Sequence, residues 1–179
     1  MAAPTLLLDP NGSGTTRWED CVPGRKEFPR HVDEIPVLGI TPLGTMARSD
    51  EPGWLFRRTP RFGQGRLTGR PTIGLLLVLI SPLHEDRAQA LRDWADFIHI
   101  SHIAAAGVPG YTMITPYEID GEGPRFLHFY EMDDDDPEAA FQRMTPLVHQ
   151  RLEHDEFKTW TGHPELRIDY VSTYRLLHG

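Results

Sequence analysis

Six residues of this chain have types and spacings suited to proton-transfer chemistry. Trp94, Asp96, His99 and His102 fall within nine consecutive positions, and His128 and Tyr130 stand two apart further along. An imidazole that titrates near working pH can take a proton from a carbon beside a carbonyl, while a phenol hydrogen-bonds the enolate oxygen that forms. Those are the parts needed to fold, dehydrate or isomerise a poly-β-ketone. If the stretch 126–132 is a strand, alternation puts His128 and Tyr130 on one face, and they would converge with His99 if that face looks toward its helix. Asp96 stands one turn before His99, where its carboxylate would hold the imidazole ring and raise its pKa. The expected catalytic set is His99, Asp96, His128 and Tyr130, with Trp94, His102, Tyr111 and Tyr170 contacting substrate. The plainer alternative is structural: His99 caps a helix and His128 is a satisfied sheet residue.

A metal centre is the competing chemistry, because Asp96, His99 and His102 step by three along one helix. Such steps rotate each side chain by about −60°, so the three fan over roughly a third of the helix circumference and converge poorly on one ion. No metal is assigned, and no cofactor is required.

The element that must carry this cluster runs from 85 to 107. Leu91, Trp94, Ala95, Ile98 and Ala105 recur at three- and four-residue steps, the period of a helix with one buried face. On that wheel His102 falls inside the buried stripe and His99 at its edge. Gly107 and Pro109-Gly110 end the helix. Ahead of it, Ile73–Ser81 is a nearly continuous apolar run between Pro71 and Pro82, which reads as a strand buried on both faces. Behind it, Tyr111–Ile119 and Phe126–Met132 form a hairpin across the Asp120–Pro124 turn. Asp133–Asp136 before Pro137 caps a second helix that runs to about Glu153. A polar connection anchored by Phe157 and Trp160 follows, and Leu166–Leu177 closes the chain as a fourth strand. Strand, helix, strand, strand, helix, strand is the split β-α-β pattern of an α+β, ferredoxin-like domain with one antiparallel sheet. The sheet face opposite the helices then needs a cover, and a second copy of the sheet in a homodimer is the simplest one.

Residues 1–70 are rich in Pro and Gly and show no sustained period, so they read as an extended N-terminal arm ahead of a domain spanning 71–179. The arm holds too many apolar groups, Trp18, Phe28, Trp54 and Phe56 among them, for a solvated linker, and is expected to lie on a partner surface. Its basic run, Arg57, Arg58, Arg61, Arg66 and Arg70, pairs either with the acidic surface of the same chain or of a second subunit, or with an anionic substrate.

The 179 residues, 39% hydrophobic and 25% charged, suffice for one real core plus extensions. A net charge of −8 argues against general nucleic-acid binding, which needs clustered Lys and Arg. A single cysteine, Cys21, leaves no internal disulfide, and no apolar run approaches the length of about 20 residues that spans a bilayer. The opening lacks the basic and apolar regions of a signal peptide, so a cytoplasmic protein without membrane contact is expected.

Trp94-Ala-Asp96-Phe-Ile-His99, the Gly107-Val-Pro-Gly-Tyr111 helix end and the Phe129-Tyr130-Glu131-Met132 strand together resemble EthD-like and related members of the dimeric α+β barrel superfamily, over residues 73–177. The resemblance implies a barrel and a pocket more firmly than a reaction, since the superfamily includes polyketide cyclases and dehydratases, lactone isomerases, cofactor-independent quinone-forming monooxygenases and haem proteins. A cofactor-independent cyclase, dehydratase or isomerase acting on a small hydrophobic or aromatic substrate is the leading expectation. A monooxygenase or haem-binding member is the second, and a non-catalytic binding or assembly protein is the reading from another class.

Overall fold

The computed structural model describes residues 3–46 and 50–178. It contains strands β1 (Thr5–Asp9), β2 (Thr16–Asp20), β3 (Val37–Leu43), β4 (Trp54–Arg58) and the two-residue β5 (Gln64–Gly65) ahead of β6 (Gly74–Pro82). A helix follows in three stretches: α1 (Ala88–Trp94), a π-helical turn (Ala95–His99) and α2 (Ile100–Ala106). The hairpin strands β7 (Tyr111–Ile119) and β8 (Phe126–Met132), helices α3 (Pro137–Arg151) and α4 (His154–Thr161), and strand β9 (Leu166–Leu176) complete the chain.

All strand pairings are antiparallel, and the order β4-β1-β3-β2-β9-β6-β8-β7 closes on itself because β4 also pairs with β7. The result is an eight-stranded barrel, with β5 as a short extra strand that pairs with Met113 and Ile114 of β7, while β4 pairs with Tyr117–Ile119. The order contains the same pattern twice. Strands β6 to β9 are arranged fourth, first, third, second, as in a ferredoxin-like unit, and β1 to β4 repeat that arrangement. In the second unit the crossovers are helices. In the first, the crossover between β1 and β2 is a short loop that passes directly over β3. Gly39 permits that crossing: a Cβ there would sit 1.9 Å from the Ser13 carbonyl oxygen.

Two apolar layers follow from strand alternation. Leu75, Leu77 and Leu79 of β6 point into the barrel with Leu127, Phe129, Tyr170 and Tyr174, where they meet Leu6, Leu8, Trp18 and Phe56 of the first unit. Leu76 and Val78 point outward with Tyr130 and Val171, toward α2, α3 and α4. That double burial explains why β6 is a continuous apolar run rather than an alternating one. Helix α3 starts where the acidic run predicts, with Asp136 Oδ1 accepting from the Ala139 N–H at 3.0 Å and Pro137 in the first turn. Gly107, at φ 62°, caps α2 in the left-handed conformation.

The α+β class and the four strands of 73–177 are as the sequence predicts, but the expected polar connection after α3 is the helix α4, whose capping box opens on Glu153. The first 70 residues do more than an arm would: they supply four of the eight barrel strands. The sheet face expected to need a second copy is therefore covered by β1 to β4 of the same chain, and the basis for a sheet-to-sheet homodimer disappears. Its cause is the repeated strand order, which a sequence without helical periods in its first 70 residues does not reveal. Of the basic run, Arg57 pairs with Asp120, Arg61 with Asp93 and Asp96, and Arg70 with Asp133, so these arginines join the protein's own acids. No helix among the described residues is long and apolar enough to cross a membrane.

A chain cut to residues 71–179 would expose Leu75, Leu77, Leu79, Leu127 and Phe129, which is too much contiguous apolar surface for a stable monomer. The full chain should sediment as a monomer of 20.4 kDa, and the truncated one should self-associate at micromolar concentration. A folded, monomeric 71–179 fragment would contradict this closure of the barrel.

Candidate active site

The outward face of β6, β8 and β9 meets the helices across a gap rather than a filled core. Leu76, Val78 and Ile80 of β6, His128 and Tyr130 of β8, and Ile168 and Val171 of β9 form its floor. Its walls are Trp94 and His99, Phe141, Met144 and Thr145 of α3, and Trp160 and Thr161 of α4, with Phe28 reaching over from the β2–β3 connection. The cavity measures about 250 Å³. Apart from the two imidazoles, the Tyr130 hydroxyl and two threonines, its polar groups are few, and among the described residues no Asp, Glu, Lys or Arg lines it.

The π-helical turn sets the position of His99. A π turn bonds i to i+5, so it inserts a residue and changes the phase of everything after it. His102 is displaced by this shift: Ile100 and Ile103 take the buried positions, and His102 lies outside the cavity. The turn's carbonyls accept bonds from outside the helix, Asp96 O from Gln64 Nε2 at 2.8 Å and His99 O from Trp160 Nε1 at 3.0 Å. His99 answers the second bond, donating from Nδ1 to the Trp160 carbonyl at 2.8 Å. The rings stack, 4.9 Å apart and 10° from parallel, with Trp94 against the imidazole at 5.1 Å. Because a carbonyl can only accept, Nδ1 carries the proton and Nε2 keeps a lone pair for the cavity that His99 lines. Burial pushes the imidazole down to about 4, and the Trp160 carbonyl opposes that fall only in part.

Asp96 does not hold His99, contrary to the sequence expectation of a carboxylate raising the imidazole pKa. The extra residue of the π turn turns Asp96 to another side, where Oδ2 accepts from Arg61 Nη1 at 2.7 Å. Burial raises its pKa, with Arg61 working against the rise. Its other oxygen, Oδ1, is buried without a hydrogen-bond partner and lies 3.9 Å from His128 Nε2. His128 is driven down to about 3 by burial, and the Tyr130 phenol is raised above its ordinary value, first by burial and then by the Asp96 charge.

Of the other expected substrate contacts, Trp94 lines the cavity and donates from Nε1 to the Thr159 carbonyl at 2.8 Å. Tyr111 stands behind Tyr130, edge-on at 5.9 Å, with its hydroxyl 3.6 Å from Met144 Sδ. Tyr170 faces the barrel interior, bonded through its hydroxyl to Tyr174 at 3.0 Å. The register puts Tyr170 opposite Leu79, an inward residue, so it cannot reach the cavity. Two contributors were hidden from sequence reasoning. Trp160 sits on α4, a helix opened by a Glu153–Glu156 capping box whose N-cap is glutamate rather than the usual Ser, Thr, Asp or Asn. Phe28 lies in a connection whose partner surface only the barrel defines. Among the described residues, no three His, Cys, Asp or Glu side chains stand close enough together to hold a metal ion.

The fold is that of a ferredoxin-fold protein from Listeria monocytogenes 4b F2365, described as uncharacterized and related to antibiotic biosynthesis monooxygenases. The two superpose with a TM-score of 0.54 at 9% identity, over 98% of this chain and 95% of that one. A second solved structure, of a major regulator of staphylococcal pathogenesis, aligns at a TM-score of 0.48 and 10% identity, over 97% of this chain and 99% of that one. No protein-family profile matches the chain, and no curated protein does. At 9% identity the likeness to the Listeria protein defines the fold class and nothing narrower.

Native His99 takes up a proton only near pH 4, whereas the unfolded chain does so near the ordinary value of 6.5. Between those values the unfolded state binds more protons, so the histidine's contribution to stability is complete above about 6.5 and shrinks as pH falls toward 4. Nitrogen-15 NMR at pH 6 should show His99 neutral with the proton on Nδ1. An imidazolium at that pH would refute the geometry.

Proposed function

We propose that this protein is a small-molecule enzyme that binds an uncharged, largely apolar substrate in the cavity beneath α3 and α4 and moves a proton on it. The observation that carries the reading is the neutral His99, fixed by the Trp160 carbonyl, with Nε2 free beside an apolar cavity that Tyr130 also lines. A low pKa in the free protein keeps the base unprotonated at every physiological pH. A charged substrate group would lose its water with no counter-charge in the lining, which selects neutral ketones, phenols and aromatic rings. In the reaction, the C–H or O–H proton passes to His99 Nε2 and leaves an imidazolium beside an enolate. The pair is neutral overall, so the burial that opposes a lone imidazolium opposes it far less. The Tyr130 hydroxyl, kept protonated by its raised pKa, is a donor for the enolate oxygen. Cyclisation, dehydration and isomerisation of a polyketide-like or aromatic compound all begin with this step.

A second reading is favoured by the Listeria protein, described as related to antibiotic biosynthesis monooxygenases. The same deprotonation of a phenol or anthrone yields an electron-rich anion that reacts with dioxygen directly, without a bound cofactor.

Deuterium exchange at the α-carbon of 1-tetralone or 2-tetralone, followed by NMR, tests proton transfer without knowledge of the native substrate. The native protein should speed exchange and gain melting temperature on binding. His99→Ala should slow exchange roughly a hundredfold while still binding. Equal exchange with and without His99 would overturn the assignment. Dioxygen consumption with anthrone separates the second reading from the first.

A further inference from the structure

The buried Asp96 carboxylate has a role that the His99 chemistry does not use. Its side chain is 3% exposed, one oxygen is bound to Arg61, and the other has no hydrogen-bond partner. A buried carboxylate with one oxygen unsatisfied is costly to the fold and calls for an explanation. What faces the free oxygen is His128 Nε2, at 3.9 Å, on a side chain 4% exposed that lines the same cavity as His99. A side-chain movement of about 1 Å brings that pair to the usual N–H···O distance.

The anchoring on the far side is strong. Arg61 grips Asp96 with Nη1 at 2.7 Å, Asp93 with Nη2 and the Arg92 carbonyl at 3.3 Å, while its guanidinium lies over the Phe97 ring at 4.4 Å. Gln64, three residues on, holds the Asp96 carbonyl. One segment from the first 70 residues thus fastens Asp96 from outside, Arg61 on the carboxylate and Gln64 on the backbone carbonyl, and the unfastened carboxylate oxygen lies 3.9 Å from the β8 histidine.

We propose that Asp96 and His128 form a second proton-accepting pair in the cavity, with Arg61 as the positioning residue that aims the carboxylate. His128 donates from Nε2 to Asp96 Oδ1, which leaves Nδ1 as the ring's acceptor. When His128 takes a proton from the bound molecule at Nδ1, the resulting imidazolium is neutralised by Asp96 through a bond already aimed. No other bond breaks and no electrons leave the substrate. With His99 on the helix wall and His128 on the sheet floor, one group can remove a proton and the other can handle a second at a different atom, as an isomerisation or dehydration requires. This rests on the cavity being a site of proton transfer; the pairing itself does not.

Long-range proton–nitrogen correlation NMR at pH 7 reads which ring nitrogen of His128 carries the proton. The native protein should show the Nε2–H form. Asp96→Asn should move His128 toward the Nδ1–H form, Arg61→Met should move it part of the way, and Arg61→Lys should largely restore it. An Nδ1–H tautomer in the native protein, or an unchanged His128 signal in Asp96→Asn, would overturn the pairing, and the native measurement needs no variant to fold. In the isomerisation of a β,γ-unsaturated cyclic ketone to its α,β-unsaturated form, which moves protons at two different carbons, Asp96→Asn should lower kcat about tenfold with KM unchanged. A change confined to KM would contradict the role. Failure of His99→Ala to slow exchange, with the His128 tautomer as stated, would sink the reading of the cavity and leave the pair standing.

Discussion

The reciprocal bond between His99 and Trp160 is the constraint on which the site depends. The His99 carbonyl takes the indole N–H of Trp160 while the Trp160 carbonyl takes the imidazole N–H. Each such bond contributes a net of about 1 kcal/mol, but together they settle three things at once: the tautomer of His99, the stacking of the two rings, and the seat of α4 against the long helix. Trp94 adds a third bond to the same short helix through Thr159. Without α4 held in this way the outward face of β6, β8 and β9 would lose one wall, and the cavity would be a groove.

The two halves of the barrel divide the labour. Both have the same strand order, yet among the described residues only the second has helices, and a cavity of this kind needs a helical wall above the sheet. The first half therefore carries no equivalent site. Its strands close the barrel interior, its β2–β3 connection sends Phe28 to the cavity rim, and the segment after β4 sends Arg61 and Gln64 to brace the π turn. Arg25 fixes the Phe28 connection by pairing with Glu138 at the start of α3 while lying 5.4 Å from the Phe141 ring. An arrangement that two identical subunits would build symmetrically is made asymmetric within one chain.

Much of the second half was legible in the sequence, for physical reasons that apply to it alone. The apolar run of β6, the acidic N-cap before Pro137 and the glycine stop at Gly107 are local signals, and His128 with Tyr130 on the cavity face follows from period-two alternation. What depended on non-local pairing was not legible. Strands of five residues with a Pro/Gly-rich surround look like an arm until their partners are known, and β1 to β4 find those partners up to more than a hundred residues away. Tyr170 was misplaced because its face is set by register with Leu79. Asp96 and His102 were misplaced because a regular helical wheel cannot anticipate a π turn. That turn is held by Trp160, Gln64 and Arg61, none of them near it in sequence.

A crystal structure with 2-tetralone or a similar flat aromatic ketone soaked into the protein tests the central claim most directly. The account predicts the ring inside the cavity, between the helix wall and the floor of Val78 and Ile168, with the reacting carbon facing His99 Nε2 and the ketone oxygen within hydrogen-bonding reach of Tyr130. A cavity left empty while the compound binds elsewhere on the surface, or a ketone oriented with its oxygen away from both residues, would contradict it.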